Sequence, residues 1–228
     1  MDETVRVGIN GLGRIGRAAL KLVIDDPRIE FVAANELGSI DNLAYLLKYD
    51  TVFGRYEKEL GVRDGKLIMN GHVVTYFSES APDALPWGDL GIDLVFECTG
   101  RFTERDEAER HLKGGARLVV LSGPTKSQDI PTIVRGVNAP DGESAIISCA
   151  SCTTNNVTPI VEILDRRFGV EKALMTTVHG YTASQALVDA PGGRNDMRRG
   201  RAAAQNLVPS STGAAHATGN AYPPVAGR

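Results

Sequence analysis

Val5-Arg6-Val7-Gly8-Ile9-Asn10-Gly11-Leu12-Gly13-Arg14-Ile15-Gly16-Arg17 runs from an apolar strand pattern, through glycines at G-x-G-x-x-G spacing, into a helical pattern. Gly11 permits a tight turn after Asn10, Gly13 lets the backbone approach a pyrophosphate, and Gly16 allows close helix–sheet packing. The helix that follows presents free N–H donors and the positive end of its dipole to an anion. Arg14 and Ile15 stand in its first turn, Arg14 beside the phosphate position. Glu36 lies twenty positions beyond Gly16 at the end of the next strand pattern. A carboxylate there can bond both ribose hydroxyls and repels a 2′-phosphate, so the cofactor expected is NAD rather than NADP.

Outward from this turn, strand and helix patterns alternate. Ile15–Ile24 and Ile40–Leu47 carry apolar residues at helical spacing, and Ile29–Ala34 is apolar and short. Asn70-Gly71 between Leu67-Ile68-Met69 and Val73-Val74-Thr75-Tyr76 marks a hairpin, because both turn residues must accept positive φ. Asp93–Cys98, Arg117–Ser122, Thr132–Val137 and Ala145–Ser148 read as strands, with a helix over Glu104–Leu112. The alternation implies an α/β fold, a doubly wound, largely parallel Rossmann sheet. It stops at Cys149–Cys152, where a long helix (Thr153–Phe168) and one strand (Ala173–Val178) follow. The expected division is a cofactor domain over residues 1–150 and a partial second domain over 151–228.

Bulk composition narrows the function. Of the 228 residues, 42% are hydrophobic and 23% charged, and 25 basic against 28 acidic residues give a net charge of -3. That balance lacks the clustered basic excess of a nucleic-acid binder, and the short Arg194–Arg201 cluster does not supply it. No apolar run reaches membrane-span length, and no charged-then-apolar leader precedes the first strand. Three cysteines make no disulfide framework, and the compartment expected is the reducing cytoplasm.

Ser151-Cys152-Thr153-Thr154-Asn155, with Val178-His179 after a short strand pattern, carries the chemistry. A thiol at the start of a helix, with an imidazole nearby, is what covalent aldehyde oxidation requires: the thiolate attacks the carbonyl carbon and the imidazole moves a proton. Cys149-Ala150-Ser151-Cys152 places a second thiol three positions before the nucleophile. No second ligand pair exists at useful spacing, so no metal site is expected. Cys149 reads as a buried neutral thiol in preference to a redox partner, and Cys98 as core. His72 and His111 read as solvated, and His216 needs no role.

Asn10-Gly11-Leu12-Gly13-Arg14-Ile15-Gly16-Arg17, Lys48-Tyr49-Asp50, Cys98-Thr99-Gly100, Ser151-Cys152-Thr153-Thr154-Asn155 and Ser210-Ser211-Thr212-Gly213-Ala214-Ala215 together resemble the phosphorylating glyceraldehyde-3-phosphate dehydrogenase family. The resemblance extends to about Ala215. It implies a Rossmann domain followed by a domain built on an antiparallel sheet, here incomplete, and a homotetramer. Its implied substrates are glyceraldehyde 3-phosphate and inorganic phosphate. By match, Cys152 resembles the nucleophile and His179 its proton partner. Thr182 and Arg198 resemble the groups that hold substrate phosphate or attacking phosphate, while Ser151, Thr153, Thr212 and Gly213 resemble the rest of that pocket. Thr99, Gly100, Phe102 and Ser122 fall where the family lines the cofactor cleft. The segment from Thr182 to Arg201 resembles a loop that reaches a neighbouring subunit's cofactor.

The chain also departs from that pattern. It ends before the strands and terminal helix expected of the second domain, and so before a further phosphate-binding arginine and an asparagine that orients nicotinamide. Ser80 stands where arginine is common, Cys149 where asparagine is common, and Asn156 where cysteine is common. Two alternatives stay open on the sequence: an erythrose-4-phosphate dehydrogenase, and a non-catalytic dinucleotide-binding protein. On the early end, the expectation is weak turnover with dinucleotide binding retained.

Overall fold

A computed structural model describes residues 4–192 and 196–228, so Arg194 and its two neighbours in the Thr182–Arg201 segment lie outside the described residues. Among the described residues there are ten strands: β1 Val5–Asn10, β2 Ile29–Asn35, β3 Tyr49–Asp50, β4 Gly54–Arg55, β5 Leu60–Arg63, β6 Lys66–Met69, β7 His72–Phe77, β8 Leu94–Glu97, β9 Leu118–Leu121 and β10 Ile146–Ser148. The described residues also form the α-helices α1 Arg14–Val23, α2 Ile40–Lys48, α3 Arg105–Lys113, α4 Cys152–Phe168 and α5 Ala214–Ala221. Eight strands make one sheet in the order β10-β9-β8-β1-β2-β7-β6-β5. From β10 to β7 every pairing is parallel, and β7-β6-β5 is antiparallel. β3 and β4 form a small antiparallel pair of their own.

Alternation along β1 explains the layering. Val7 and Ile9 point to the core shared with Leu20 of α1, Ile24 at its C-terminal cap, and Leu43 and Leu47 of α2. Gly8 faces the other side, where a Cβ would meet the Trp87 ring at 2.8 Å. Trp87 packs there with Ala33, Ile92 and Val95. α3 covers the same side further along, with Ala108 on Val119, Leu121 and Ile146. Each large apolar side chain so enclosed is worth about 1.5–3 kcal/mol. From β1 the chain runs outward to β2, and later returns to place β8 on the other flank. The crevice between those two directions is where open α/β sheets take their ligands.

The hairpin at Asn70-Gly71 forms as its residues require, with φ of 49° and 83°. Two strands expected from sequence do not form. Over Thr132–Val137 the only pairing is a single bridge from Thr132 to Ser148. Ala173–Val178 forms no strand and pairs with no described segment. Leu174 and Val178 are accordingly exposed. After β10 the chain leaves the sheet and enters α4, whose buried face is short. Thr154 and Thr158 are enclosed, and Thr158 Oγ1 meets Thr218 Oγ1 of α5 at 2.9 Å. The Tyr222 hydroxyl donates to Asp165 Oδ2 at 3.1 Å, fixing the end of α5 to the end of α4. Ile160, Ile163, Leu164 and Phe168 of α4 remain exposed.

Candidate functional site

The glycine turn after β1 builds the first half of the site. Gly11 adopts φ of 90°, a left-handed conformation that side chains resist. A Cβ on Gly11 would also strike Thr99 Cγ2 at 2.7 Å. Gly13 caps α1 with no side chain bonded to the helix N–H groups, and nothing lies within 4 Å of where its Cβ would be. That open space above free donors fits a pyrophosphate, which needs the backbone itself as its ligand. Glu36 reaches back to this turn: its Oε2 accepts the Leu12 N–H at 2.8 Å and its Oε1 the Leu37 N–H at 2.9 Å. The carboxylate is therefore held in place at the mouth of the cleft before any ribose arrives.

A cleft of about 220 Å³ opens at the ends of β1 and β8. Asn10, Gly11, Gly13, Glu36, Thr99 and Phe102 line it, as expected from sequence. Asn35, Leu37, Glu79, Ser80, Cys98 and Arg101 also line it; of these Ser80 stands where arginine is common in the family, and Cys98, expected in the core, is half-buried at the cleft wall. The other expected cofactor residues do not line it. Gly16 packs on Gly11 so closely that a Cβ would fall 2.0 Å from the Gly11 carbonyl oxygen. Arg14 is ion-paired to Asp50 and stacks over Phe53, and Ile15 is exposed beside it. Gly100 turns the chain at φ of 67°. Ser122 hydrogen-bonds the Cys98 thiol, which desolvation pushes up to about 11.

His111 departs most from expectation. Rather than facing solvent it is completely buried, receiving the Trp87 indole N–H at Nδ1 (3.0 Å) and lying 2.9 Å from Glu97 Oε2. Cys149, expected buried, is exposed. His72 stands near Asp25, 3.5 Å away, at the hairpin surface.

The second half of the site begins at a strained turn. Ala150 is buried yet adopts φ of 58°, a left-handed conformation that costs an L-residue about 1–2 kcal/mol. Ser148 Oγ accepts the Ala150 N–H at 3.1 Å and donates to the Gly123 carbonyl at 2.9 Å. Asn155 Nδ2 donates to the carbonyls of Cys149 (2.7 Å) and Ser151 (2.9 Å). Ser151 caps α4, its Oγ accepting the Thr154 N–H at 3.1 Å. These bonds place Cys152 as the first helical residue, where the dipole favours negative charge.

Cys152 Sγ lies 3.2 Å from His179 Nε2. His179 Nδ1 is 2.6 Å from the Gly180 carbonyl oxygen, which only accepts, so the Nδ1 hydrogen points there and Nε2 faces sulfur. The hydrogen bond and charge of His179, together with the Thr153 hydroxyl and N–H, lower the Cys152 pKa. The bond to Gly180 and the bond and charge of Cys152 raise that of His179. Both shifts favour the thiolate–imidazolium pair.

Of the expected phosphate ligands, Ser151 and Thr153 flank Cys152, whereas Thr182, Arg198, Thr212 and Gly213 are engaged elsewhere. Thr182 Oγ1 contacts Ser184 Oγ at 2.9 Å, and the Arg198 guanidinium pairs with Asp196 at 3.0 Å. Thr212 Oγ1 accepts the Ala214 N–H at 3.2 Å, and Gly213 caps α5.

Comparison with known proteins finds a family match in each of the two regions of the chain. Residues 5–105 match the family profile described as glyceraldehyde 3-phosphate dehydrogenase, NAD binding domain, and residues 151–228 match its C-terminal domain. Glyceraldehyde-3-phosphate dehydrogenase of Clostridium acetobutylicum is 47% identical over 225 residues, spanning 98% of this chain and 67% of that protein. The enzymes of the same name from Streptomyces coelicolor and Geobacillus stearothermophilus are 47% and 45% identical, over 99% and 98% of the chain and 67% of each relative.

The chain belongs to the glyceraldehyde-3-phosphate dehydrogenase family. It spans about two thirds of the length of these relatives. The family's NAD-binding domain covers the glycine turn, Glu36 and the cleft, so the cofactor is NAD. In this family's terms Cys152 and His179 lie in the C-terminal domain, while Asn10, Thr99 and Phe102 lie in the other. Among the described residues no helix is long and apolar enough to cross a membrane.

Proposed function

We propose that this chain oxidises glyceraldehyde 3-phosphate with NAD and inorganic phosphate, giving 1,3-bisphosphoglycerate, with Cys152 as nucleophile and His179 as proton carrier. The observation that carries the reading is the 3.2 Å approach of Cys152 Sγ to His179 Nε2 at the start of α4. The Cys152 thiolate adds to the aldehyde carbon, and the new hydroxyl of the thiohemiacetal faces His179. His179 takes that proton as the carbonyl re-forms into a thioester. Bound NAD supplies the hydride acceptor for this oxidation. Inorganic phosphate then attacks the thioester carbon and Cys152 leaves as thiolate.

Ser151, Thr153, Thr182, Arg198, Thr212 and Gly213 belong to the phosphate subsites in this reading. Arg198 must exchange Asp196 for phosphate to serve there. Gly100 and Ser122, with Arg14, Ile15 and Gly16, belong to the surroundings of the NAD cleft in this reading. The same proposal includes a division near residue 150, a homotetramer and a cytoplasmic setting. The exit of the chain from the sheet after β10 supports the division.

The test is NADH formation with glyceraldehyde 3-phosphate or erythrose 4-phosphate, with and without phosphate. Phosphate-dependent turnover that favours the three-carbon aldehyde and vanishes in Cys152→Ser supports the assignment. Preference for erythrose 4-phosphate would move the substrate, and NAD binding without turnover would leave a dinucleotide-binding protein.

A further inference from the structure

Beneath the cleft lies a buried polar chain that the reaction itself does not use. Glu97, at the end of β8, is 1% exposed. Its carboxylate accepts from four donors: Asn10 Nδ2 at 2.6 Å, His111 Nε2 at 2.9 Å, the Thr99 N–H at 2.7 Å, and the Thr99 hydroxyl. Thr99 Oγ1 in turn accepts the Arg101 N–H at 3.1 Å. On the far side of Asn10, its Oδ1 accepts from Asn35 Nδ2 at 2.7 Å. Asn35 then closes a pair of bonds with the Glu79 backbone, at 2.8 and 2.9 Å. Asn10, Asn35, Glu79 and Thr99 all line the cleft, whereas His111 and Trp87 do not.

The tautomer of His111 is set from behind. An indole N–H only donates, so Trp87 Nε1, 3.0 Å from His111 Nδ1, fixes the lone pair there. The hydrogen must sit on Nε2 and point at Glu97. Gly8 makes this possible, since a Cβ at that position would overlap the Trp87 ring. His111 also touches the cleft wall by its ring, meeting Phe102 edge-on with centroids 6.3 Å apart. A buried carboxylate left without one of its donors is costly, and its other partners shift to compensate.

From this geometry we infer that His111 is a positioning residue for NAD: through a tautomer fixed by Trp87 it holds Glu97, and so sets Asn10, Thr99 and Phe102 on the cleft. The inference rests on the cleft being the NAD site. It assigns a role in cofactor affinity to a histidine that never reaches the cofactor.

The test is calorimetric titration of the full chain with NAD, alongside nitrogen NMR of the His111 ring. His111→Gln retains an N–H for Glu97 and a carbonyl for Trp87. His111→Leu fills space and supplies neither. The Gln variant should bind NAD within about threefold of wild type, and the Leu variant about tenfold more weakly, the effect of one lost hydrogen bond to a charged group. In the wild-type chain His111 should be the Nε2–H tautomer, and its ring signals should shift on NAD addition. A folded Leu variant that binds like wild type would overturn the inference, as would a hydrogen on Nδ1 or ring signals indifferent to NAD. If the Leu variant does not fold, the wild-type ring signals decide. Wild-type chain that fails to bind NAD would instead overturn the reading of the cleft, and this inference with it.

Discussion

Gly16 and Gly11 approach so closely that a Cβ on Gly16 would fall 2.0 Å from the Gly11 carbonyl oxygen. The contact locks the first turn of α1 to the loop that leaves β1. Gly16→Ala cannot be absorbed by a side-chain rotation, because the obstacle is backbone. The variant should lose about 1–3 kcal/mol of stability, as overpacked sites do. It should also bind NAD at least tenfold more weakly than wild type, since the turn must move. Gly13→Ala should keep wild-type stability, having open space around it, and lose NAD affinity through a methyl in the phosphate position. Thermal melts with NAD titrations separate the two effects, and equal stability losses would contradict the assignment.

The Cys152–His179 pair predicts a pH profile. The thiol pKa is lowered, so thiolate persists below the ordinary thiol value of about 8.5, and reactivity is lost only as pH falls through the lowered value. The imidazole pKa is raised, so imidazolium persists above about 6.5 and is lost as pH rises through the raised value. Iodoacetamide should therefore label Cys152 near neutral pH. Cys98, with its thiol pushed up to about 11, should stay unmodified there. His179→Ala should move the Cys152 labelling profile to higher pH. Peptide mapping across pH decides this, and an unmoved profile would remove His179 from the pair.

Glu36 should govern the choice between NAD and NADP. Its carboxylate is fixed by the Leu12 and Leu37 N–H groups and cannot swing away from a 2′-phosphate without leaving both unpaired. NADP should bind more weakly than NAD by on the order of 1–3 kcal/mol, the cost of an uncompensated polar clash. Glu36→Gln should narrow the gap by removing the negative charge. Calorimetry with both dinucleotides tests this, and tighter NADP binding by the wild-type chain would refute it.

The parts of this fold legible in sequence are those whose signal is local. The glycine turn, the Asn70-Gly71 hairpin and the helix expected from Thr153, which the structure begins one residue earlier at Cys152, each announce themselves within a few residues. Ala173–Val178 has strand-like composition, but a strand exists only where a neighbour pairs with it, and composition is silent on neighbours. His111 was hidden differently. It sits in Arg105–Lys113 among charged residues, which draws the reading towards solvent. Yet it is three positions after buried Ala108, on the same helix face, and that spacing was the available signal. Its partners Trp87 and Glu97 come from separate segments, so no window on the sequence contains the network.

Ala150 offers the sharpest test of how the nucleophile is held. Its left-handed backbone turns the chain from β10 into α4, and its methyl packs with Val134 and Ala221. Ala150→Gly would relieve about 1 kcal/mol or more of backbone strain. Against that, it loses about 0.8 kcal/mol of methyl burial and about 0.4–1 kcal/mol through the freer unfolded chain. These nearly cancel, so the Gly variant should melt within a few degrees of wild type and keep its Cys152 labelling rate. Ala150→Val puts a β-branched residue where such residues are true outliers, in a site without room for two more methyls. It should cost about 2 kcal/mol or more, and the least expensive relaxation is to swing Ser151 and Cys152 out of register with Ser148 and Asn155. Cys152 labelling at neutral pH should then slow towards that of an ordinary exposed thiol, even at temperatures where the sheet is intact by circular dichroism. A Val variant that labels as fast as wild type would mean that the turn at Ala150 does not set the position of the thiol, leaving the Ser151 cap and the Asn155 bonds to do so.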